Sequence, residues 1–408
     1  MSLNTALSGL MGAQDGLNVA ANDLANASTV GFKSGSALFR DIYPASSGNA
    51  PGQGVSQQAI EQNFSQGTLD TTGNPLDLAV QGNGFFVVSK NGQNYYTRDG
   101  AFQLSPSGQM QNASGMAVLG MSTGANGAAT GALGTLTVPT AGQTGKATAN
   151  VGLSAALNAA DSVATTPFNT GNPATYDETT SVVAYDSLGN ANHVQLYFAR
   201  SSVSSASGTL PGSWTVYAQP QNANGSSVGS PQNLTTLKFT STGTLASGGA
   251  ATLAVNWGNG ASPSNIAFNL AGTTLAAQPF AVNGLTNDGY GPGQFNGVSV
   301  GGNGTVSATY SNGQKKSIGA VGLASFVNNQ GLLPVSGNLY ASSVTSGQPV
   351  VNVPGAGVNG SIVSGSLEQS NVQTSNELVT LLRFQEAYQA NTSVLQTDQQ
   401  DMQKLLTL

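Results

Sequence analysis

Residues 366–408 read SLEQSNVQTSNELVTLLRFQEAYQANTSVLQTDQQDMQKLLTL, with no glycine and no proline, in a chain of 408 residues that carries 54 and 16 of them. Within this stretch Leu381, Phe384, Tyr388, Leu395, Met402 and Leu406 recur at spacings of three and four or their sums. That period sets them on one face of a helix. The other end matches it: Leu3, Leu7, Leu10, Leu17, Ala21 and Leu24 repeat in the same way over residues 1–28. Nearly everything between the two ends reads as strands and turns. The expected fold is therefore mixed, mainly β with paired terminal α-helices, and the apolar stripes of the two ends are expected to serve other molecules.

Composition narrows the function classes. Charged residues are 7% of the chain, against about 25% in an average soluble protein; Ser, Thr, Asn, Gln and Gly take their place. With 39% apolar residues and a net charge of −6, this is not the pattern of disorder. Eleven Lys and Arg scattered along the chain cannot neutralise a run of phosphates, so nucleic acid is not an expected partner. No apolar run approaches the roughly 20 residues of a membrane span, so no membrane insertion is expected. A cleavable secretory signal is not expected either, since the first basic residue is Lys33 and Gly and Asn interrupt the apolar stretch. Zero cysteines exclude disulfides and thiolate chemistry.

Along the chain, the first helix is expected to end near Ala27, with a turn at Ser28–Gly31. Residues 29–70, with Pro44, Pro51, Gly52 and Gly54, read as an irregular connector. Phe85–Val88, the Asn91-Gly92 turn and Gln93–Arg98 form a hairpin signal. Residues 120–150 are rich in Gly, Ala and Thr and read as a link. A second β region follows, with Thr179–Tyr185 and His193–Ala199 around the turn at Asp186–Gly189. Strands at Val321–Val327 and Leu339–Val344 resume the first β region. The simplest topology is nested. Residues 1–28 and 366–408 form a terminal helical polymerisation domain, 71–145 and 285–365 a β-rich domain, and 146–284 an inserted outer β domain.

Catalytic chemistry finds little support. The one histidine, His193, sits in an alternating strand, where a structural role is the simpler reading. Asp177-Glu178 are neighbours on a strand and point to opposite faces, as expected of a solvated edge. Gly291-Pro292-Gly293 and Gly301-Gly302-Asn303-Gly304 resemble phosphate loops only in composition, because neither opens a helix. We expect no enzyme, no catalytic or metal residues and no cofactor.

The last helix carries a further signal. Gln385, Gln389, Thr392, Gln396, Gln400, Gln403 and Thr407 fall within about 80° of one another at 100° per residue. An ordinary solvent face carries Lys and Glu. An uncharged amide face suits a surface along which other chains slide, so Gln385, Gln389, Gln396, Gln400 and Gln403 are expected to line a protein-conducting channel. A plain solvated face in a low-charge protein is the alternative. Leu3, Leu7, Leu10, Leu17, Leu24, Leu381, Phe384, Tyr388, Leu395, Met402 and Leu406 are the expected subunit-interface residues.

Several ordered blocks now combine. Ala6-Leu7-Ser8-Gly9-Leu10, Asn22-Asp23-Leu24-Ala25-Asn26 and Gly31-Phe32-Lys33 resemble the N-terminal signature of bacterial flagellar rod and hook proteins. Phe64-Ser65-Gln66-Gly67-Thr68-Leu69, Thr72–Ala79, Gly84-Phe85-Phe86 and Tyr96-Thr97-Arg98 are similar to internal blocks of that family. Gly365–Val372 and Tyr388-Gln389-Ala390-Asn391 match its C-terminal pattern. The stretch Thr179–Trp214, with Tyr185–Asn190, and Leu323–Leu332 resemble the hook type within the family. Three positions depart: Asp23 stands where a second Asn is usual, Glu386 where Arg is common, and Gln373-Thr374-Ser375 replaces an acidic residue.

The resemblance implies a structural subunit of a curved, hollow helical homopolymer, a universal joint passing torque from rod to filament. It implies export through the flagellar type III export apparatus without a cleavable signal, and an extracellular place at the hook and basal body. The implied partners are further copies of the chain, the rod protein, the hook cap protein and the hook–filament junction protein. A distal-rod or hook–filament junction subunit, and from another class a surface adhesin, are the rival readings.

Overall fold

The computed structural model describes residues 2–43, 52–123, 129–202 and 212–406. The chain divides into two compact units. One comprises Met1–Thr140, Gly297–Thr309 and Lys315–Leu408; the other comprises Ala141–Asn296 with Tyr310–Gln314.

The first unit opens with α1, Ser2–Ala25, and closes with α2, Thr374–Leu406. Where the sequence suggested an irregular connector over 29–70, the chain forms an antiparallel hairpin of β1, Gly35–Asp41, and β2, Val55–Gln62. Few of its side chains are apolar, so its alternation is faint; what holds it is contact with α1. A hypothetical Cβ on Gly12 would meet Val55 at 3.1 Å and Phe39 at 3.5 Å, so both side chains rest on helix backbone. After β2 come β3, Leu69–Thr71, and β4, Leu78–Gln81. The returning chain pairs with both: Ser361–Ser364 lies antiparallel to β4 and Ser366–Glu368 to β3. The two ends of the chain are thereby stitched together by main-chain hydrogen bonds.

The body of this unit is a sheet of antiparallel ladders around β5, Phe85–Lys90, and β6, Gln93–Thr97. Asn91 and Gly92 both take positive φ, 54° and 79°, which is the type I′ turn that the Asn-Gly pair predicts. Leu323–Ser325 pairs with β5, and Leu339–Ala341 meets β6 at Tyr340. Phe85, Val87, Tyr96, Leu119, Leu332 and Tyr340 form the core. The stretch expected to be a linker is partly strand: Ala129–Thr135 pairs with Ala117–Thr123. Backbone pairing needs no large side chain, which is why its small residues concealed it.

The second unit has two five-stranded sheets. Glu178–Tyr185, Ala191–Ser202, Ser213–Gln221, Gln232–Phe239 and Leu245–Ser247 make one, in that order. Asn150–Asn158 runs at the centre of the other, parallel to Ser264–Asn269 and antiparallel to Ala281–Asn287. Trp214, Phe198, Phe239, Leu237, Phe268 and Trp257 share one core. The turn after Tyr185 is fixed by Asp186, whose buried carboxylate accepts from Leu188 N, Asn190 N and Nδ2, and Asn259 Nδ2. Burial alone would raise its pKa, but these donors outweigh it and hold the group below the ordinary carboxylate value.

Candidate functional site: the terminal helix pair and its ionic root

α1 and α2 pack on each other, and the contact is made by the smallest residues of α1. Ala6, Ala13, Ala20, Gly16 and Asp23 are buried. With Gly9 they follow a three–four alternation, the seam pattern of paired helices. The ring of Phe384 sits directly on Gly16, where a Cβ would lie 2.4 Å from its Cζ, and the amide of Asn391 covers Gly9. Phe39 of β1 meets Phe384 edge-on at 6.1 Å. Each of these glycines costs the helix about 1 kcal/mol relative to Ala. The structure gives them a use: without side chains they let α2 and the hairpin approach.

The expected interface residues therefore divide. Leu381, Phe384, Tyr388 and Leu395 are half-buried, and Phe384 at least is engaged within its own chain. On α1 the leucine stripe lies about 90° around the helix from the small-residue face. Leu10, Leu17 and Leu24 flank the seam and are half-buried, whereas Leu3 and Leu7 stay exposed at 44% and 47%. Met402 is 61% exposed; the side chain of Leu406 and all of Thr407 lie outside the described residues. Gln385, Gln389, Gln396, Gln400 and Gln403 are all exposed on α2. Leu378 and Leu382, also exposed, share their side of the helix, so the amide face begins with two leucines. Met11, Leu378 and Leu382 are exposed apolar residues that the sequence reading did not select.

Below the helix pair lies a buried ionic cluster. Lys33 Nζ is 2.6 Å from Glu368 Oε1, and Arg98 Nη1 is 3.2 Å from Glu368 Oε2; the Lys33 and Glu368 side chains are fully buried, and Arg98 nearly so. Lys33 also donates to Ser65 O, Arg98 donates to Gly82 O, and Gly67 N donates to Glu368. Burial lowers the pKa of both cations, and Glu368 opposes that shift. Neighbouring Asn371 accepts from Ser34 N at 2.8 Å and donates to Asn63 O at 2.7 Å. Four sequence blocks that looked separate thus meet at one point: Gly31–Lys33, Phe64–Leu69, Tyr96–Arg98 and Gly365–Val372. The cluster itself escaped the sequence reading. Its available signal was that, in a chain with 7% charged residues, three of these blocks each carry a charge.

Asp23, one of the departures noted in the sequence, is buried in the last turn of α1 and accepts from Gly35 N at 2.9 Å. Among the described residues no group of three His, Cys, Asp or Glu could hold a metal. His193 is half-buried in its strand, and among the described residues no helix is long and apolar enough to cross a membrane. Asp177 is not the solvated edge residue expected, since its carboxylate accepts from Arg200 N at 2.8 Å.

Comparison with known families fits this geometry. Residues 3–33 match the flagella basal body rod protein model and 363–408 the flagellar basal body rod FlgEFG protein C-terminal model. Residues 79–154 match the flagellar hook protein FlgE/F/G D1 domain, and 155–290 the flagellar basal body protein FlaE D2 domain. These are the modules of axial flagellar proteins. The flagellar hook protein FlgE of Salmonella typhimurium is 34% identical over the whole of both chains, and that of Escherichia coli K12 is also 34% identical over both. The FlgE of Brucella suis is 32% identical, covering all of this chain and 98% of the relative. The crystal structure of Helicobacter pylori flagellar hook protein FlgE2 shares the fold, with a TM-score of 0.56 at 16% identity, over 74% of this chain and 100% of that one. The chain belongs to the flagellar hook protein family: it is a structural subunit of the hook and not an enzyme.

Proposed function

We propose that the chain polymerises with itself into a hollow, curved hook that acts as a universal joint between rod and filament, and that the terminal helix pair drives this assembly. The observation that carries the reading is the exposed apolar set on the pair: Leu3, Leu7 and Met11 on α1, with Leu378, Val379 and Leu382 on α2. Burying a leucine-sized side chain contributes roughly 1.5–3 kcal/mol, and a helical array repeats that gain at every subunit. A contact that does not close on itself yields an open helical polymer. The amide face of Gln385, Gln389, Gln396, Gln400 and Gln403 lines the central channel in this reading, and the β-rich parts lie outside the helices. Contacts with the rod, cap and junction proteins and with the type III export apparatus, and a place outside the cell without a cleavable signal, belong to the same proposal.

The test is a double substitution, Leu7→Asp with Leu382→Asp. Both sites are exposed in the single chain, so its fold and near-ultraviolet spectrum should persist while polymerisation is lost. Electron micrographs still showing curved tubes would remove the helix pair from the assembly role.

A further inference from the structure

We propose that Asp23 makes the seam between α1, the hairpin and α2 proton-sensitive: taking up a proton closes the last turn of α1 onto Gly35 and the start of α2, and losing it loosens that turn. This concerns the fold of the single chain and goes beyond the polymer reading. The placement of Asp23 is unfavourable for a carboxylate in three independent ways. It is 1% exposed, so its charge is stripped of water. It lies in the last turn of α1, where the helix dipole presents its negative end. Among the described residues, the one hydrogen bond to its carboxylate comes from the Gly35 N–H.

Among the described residues no cation compensates it. From α2 the group that faces it is Glu377, a like charge. Asp23 also lines a cavity of about 710 Å³ bounded by α1, the hairpin and residues 334–340; the other carboxylate on its wall is Asp99, which follows β6. Tyr340 on the same wall donates its hydroxyl to Gln62. Lys33 and Arg98, the buried cations of this unit, are held by Glu368 and do not line the cavity. Burial, helped by Glu377 and opposed by the Gly35 N–H, pushes the Asp23 carboxyl up to about 6. Because the folded value lies above the ordinary one, the ionised group destabilises the seam above about pH 6. That penalty fades as pH falls from 6 towards 4.

Amide hydrogen exchange of the full chain, followed by mass spectrometry on peptides covering residues 18–36 and corrected for intrinsic rate, tests this from about pH 5 to about pH 8. Opening of the segment in the wild type should increase roughly tenfold across that range, as expected for a shift of one to two pKa units. Asp23→Asn keeps the acceptor for Gly35 N–H and removes the charge, so its segment should stay protected at every pH. Glu377→Gln should move the wild-type transition to lower pH without abolishing it. A wild type and Asp23→Asn with the same profile would overturn the proposal. So would an unshifted Glu377→Gln, or wild-type protection that grows with pH.

Discussion

At the scale of single residues, the helix pair depends on what is missing from α1. Gly16 lies under the ring of Phe384, which is itself wedged against Phe39; a methyl group there has nowhere to go. Gly9 faces the end of the Asn391 side chain, which can swing aside. Both substitutions to alanine gain about 1 kcal/mol of helix propensity, while overpacking costs about 1–3 kcal/mol. Gly16→Ala should therefore destabilise the first unit by up to about 2 kcal/mol in urea titrations followed at the helical circular dichroism band, and Gly9→Ala should be neutral or stabilising by up to about 1 kcal/mol. The reverse order would contradict the packing described. Gly31 has a different use: at φ 68° it brings its backbone against Arg98, where a Cβ would lie 2.6 Å from the Arg98 carbonyl carbon. The turn at Gly31 was legible in the sequence; the use of Gly9 and Gly16 was not, because a small residue on a helix reads as an absence until the partner that fills it is known. The charged triad was hidden for a related reason: its members are 335 and 270 residues apart.

At the scale of elements, the two helices were legible from periodicity, and the contact between them was not. The leucine stripe of α1 was read as a face for other copies of the chain; within the chain, the contact with α2 is made by small residues a quarter-turn away. Hydrophobicity alone ranks leucine above alanine, whereas close approach of backbones ranks them the other way. The β1–β2 hairpin escaped for want of alternation, since sequences such as VSQQAIEQ carry few large apolar groups and borrow their stability from α1. On α2 the exposed amide face offers a direct test. Gln396→Lys with Gln400→Lys changes solvent-facing positions and should leave the subunit folded and tubes assembled. Two added charges per subunit, repeated around a narrow channel, should slow the passage of later subunits, measured as filament growth on cells. Unchanged growth would take the channel lining away from this face.

At the scale of the whole molecule, the return of the chain was legible, since strands after residue 320 pair with β5 and β6; the strand Ala129–Thr135 was not, because linker and strand share a Gly/Ala/Thr composition here. Both tryptophans, Trp214 and Trp257, lie in the core of the second unit, while both α-helices belong to the first. Fluorescence therefore reports one unit and the helical dichroism band the other. Trp214→Ala should destabilise the fluorescence-detected transition by about 3–5 kcal/mol and leave the helical transition where it was. Coincident shifts would mean that the two units unfold as one.

The ionic root also sets a timetable. Lys33 and Arg98 leave the ribosome 335 and 270 residues ahead of their shared counter-ion, Glu368. Enclosing two cations with no anion costs several kcal/mol each, so a partial chain has strong reason to keep that region wet and open. The first unit cannot lock until Glu368 has been made, and a chain that stops short of it carries two unpaired cations in place of a closed cluster.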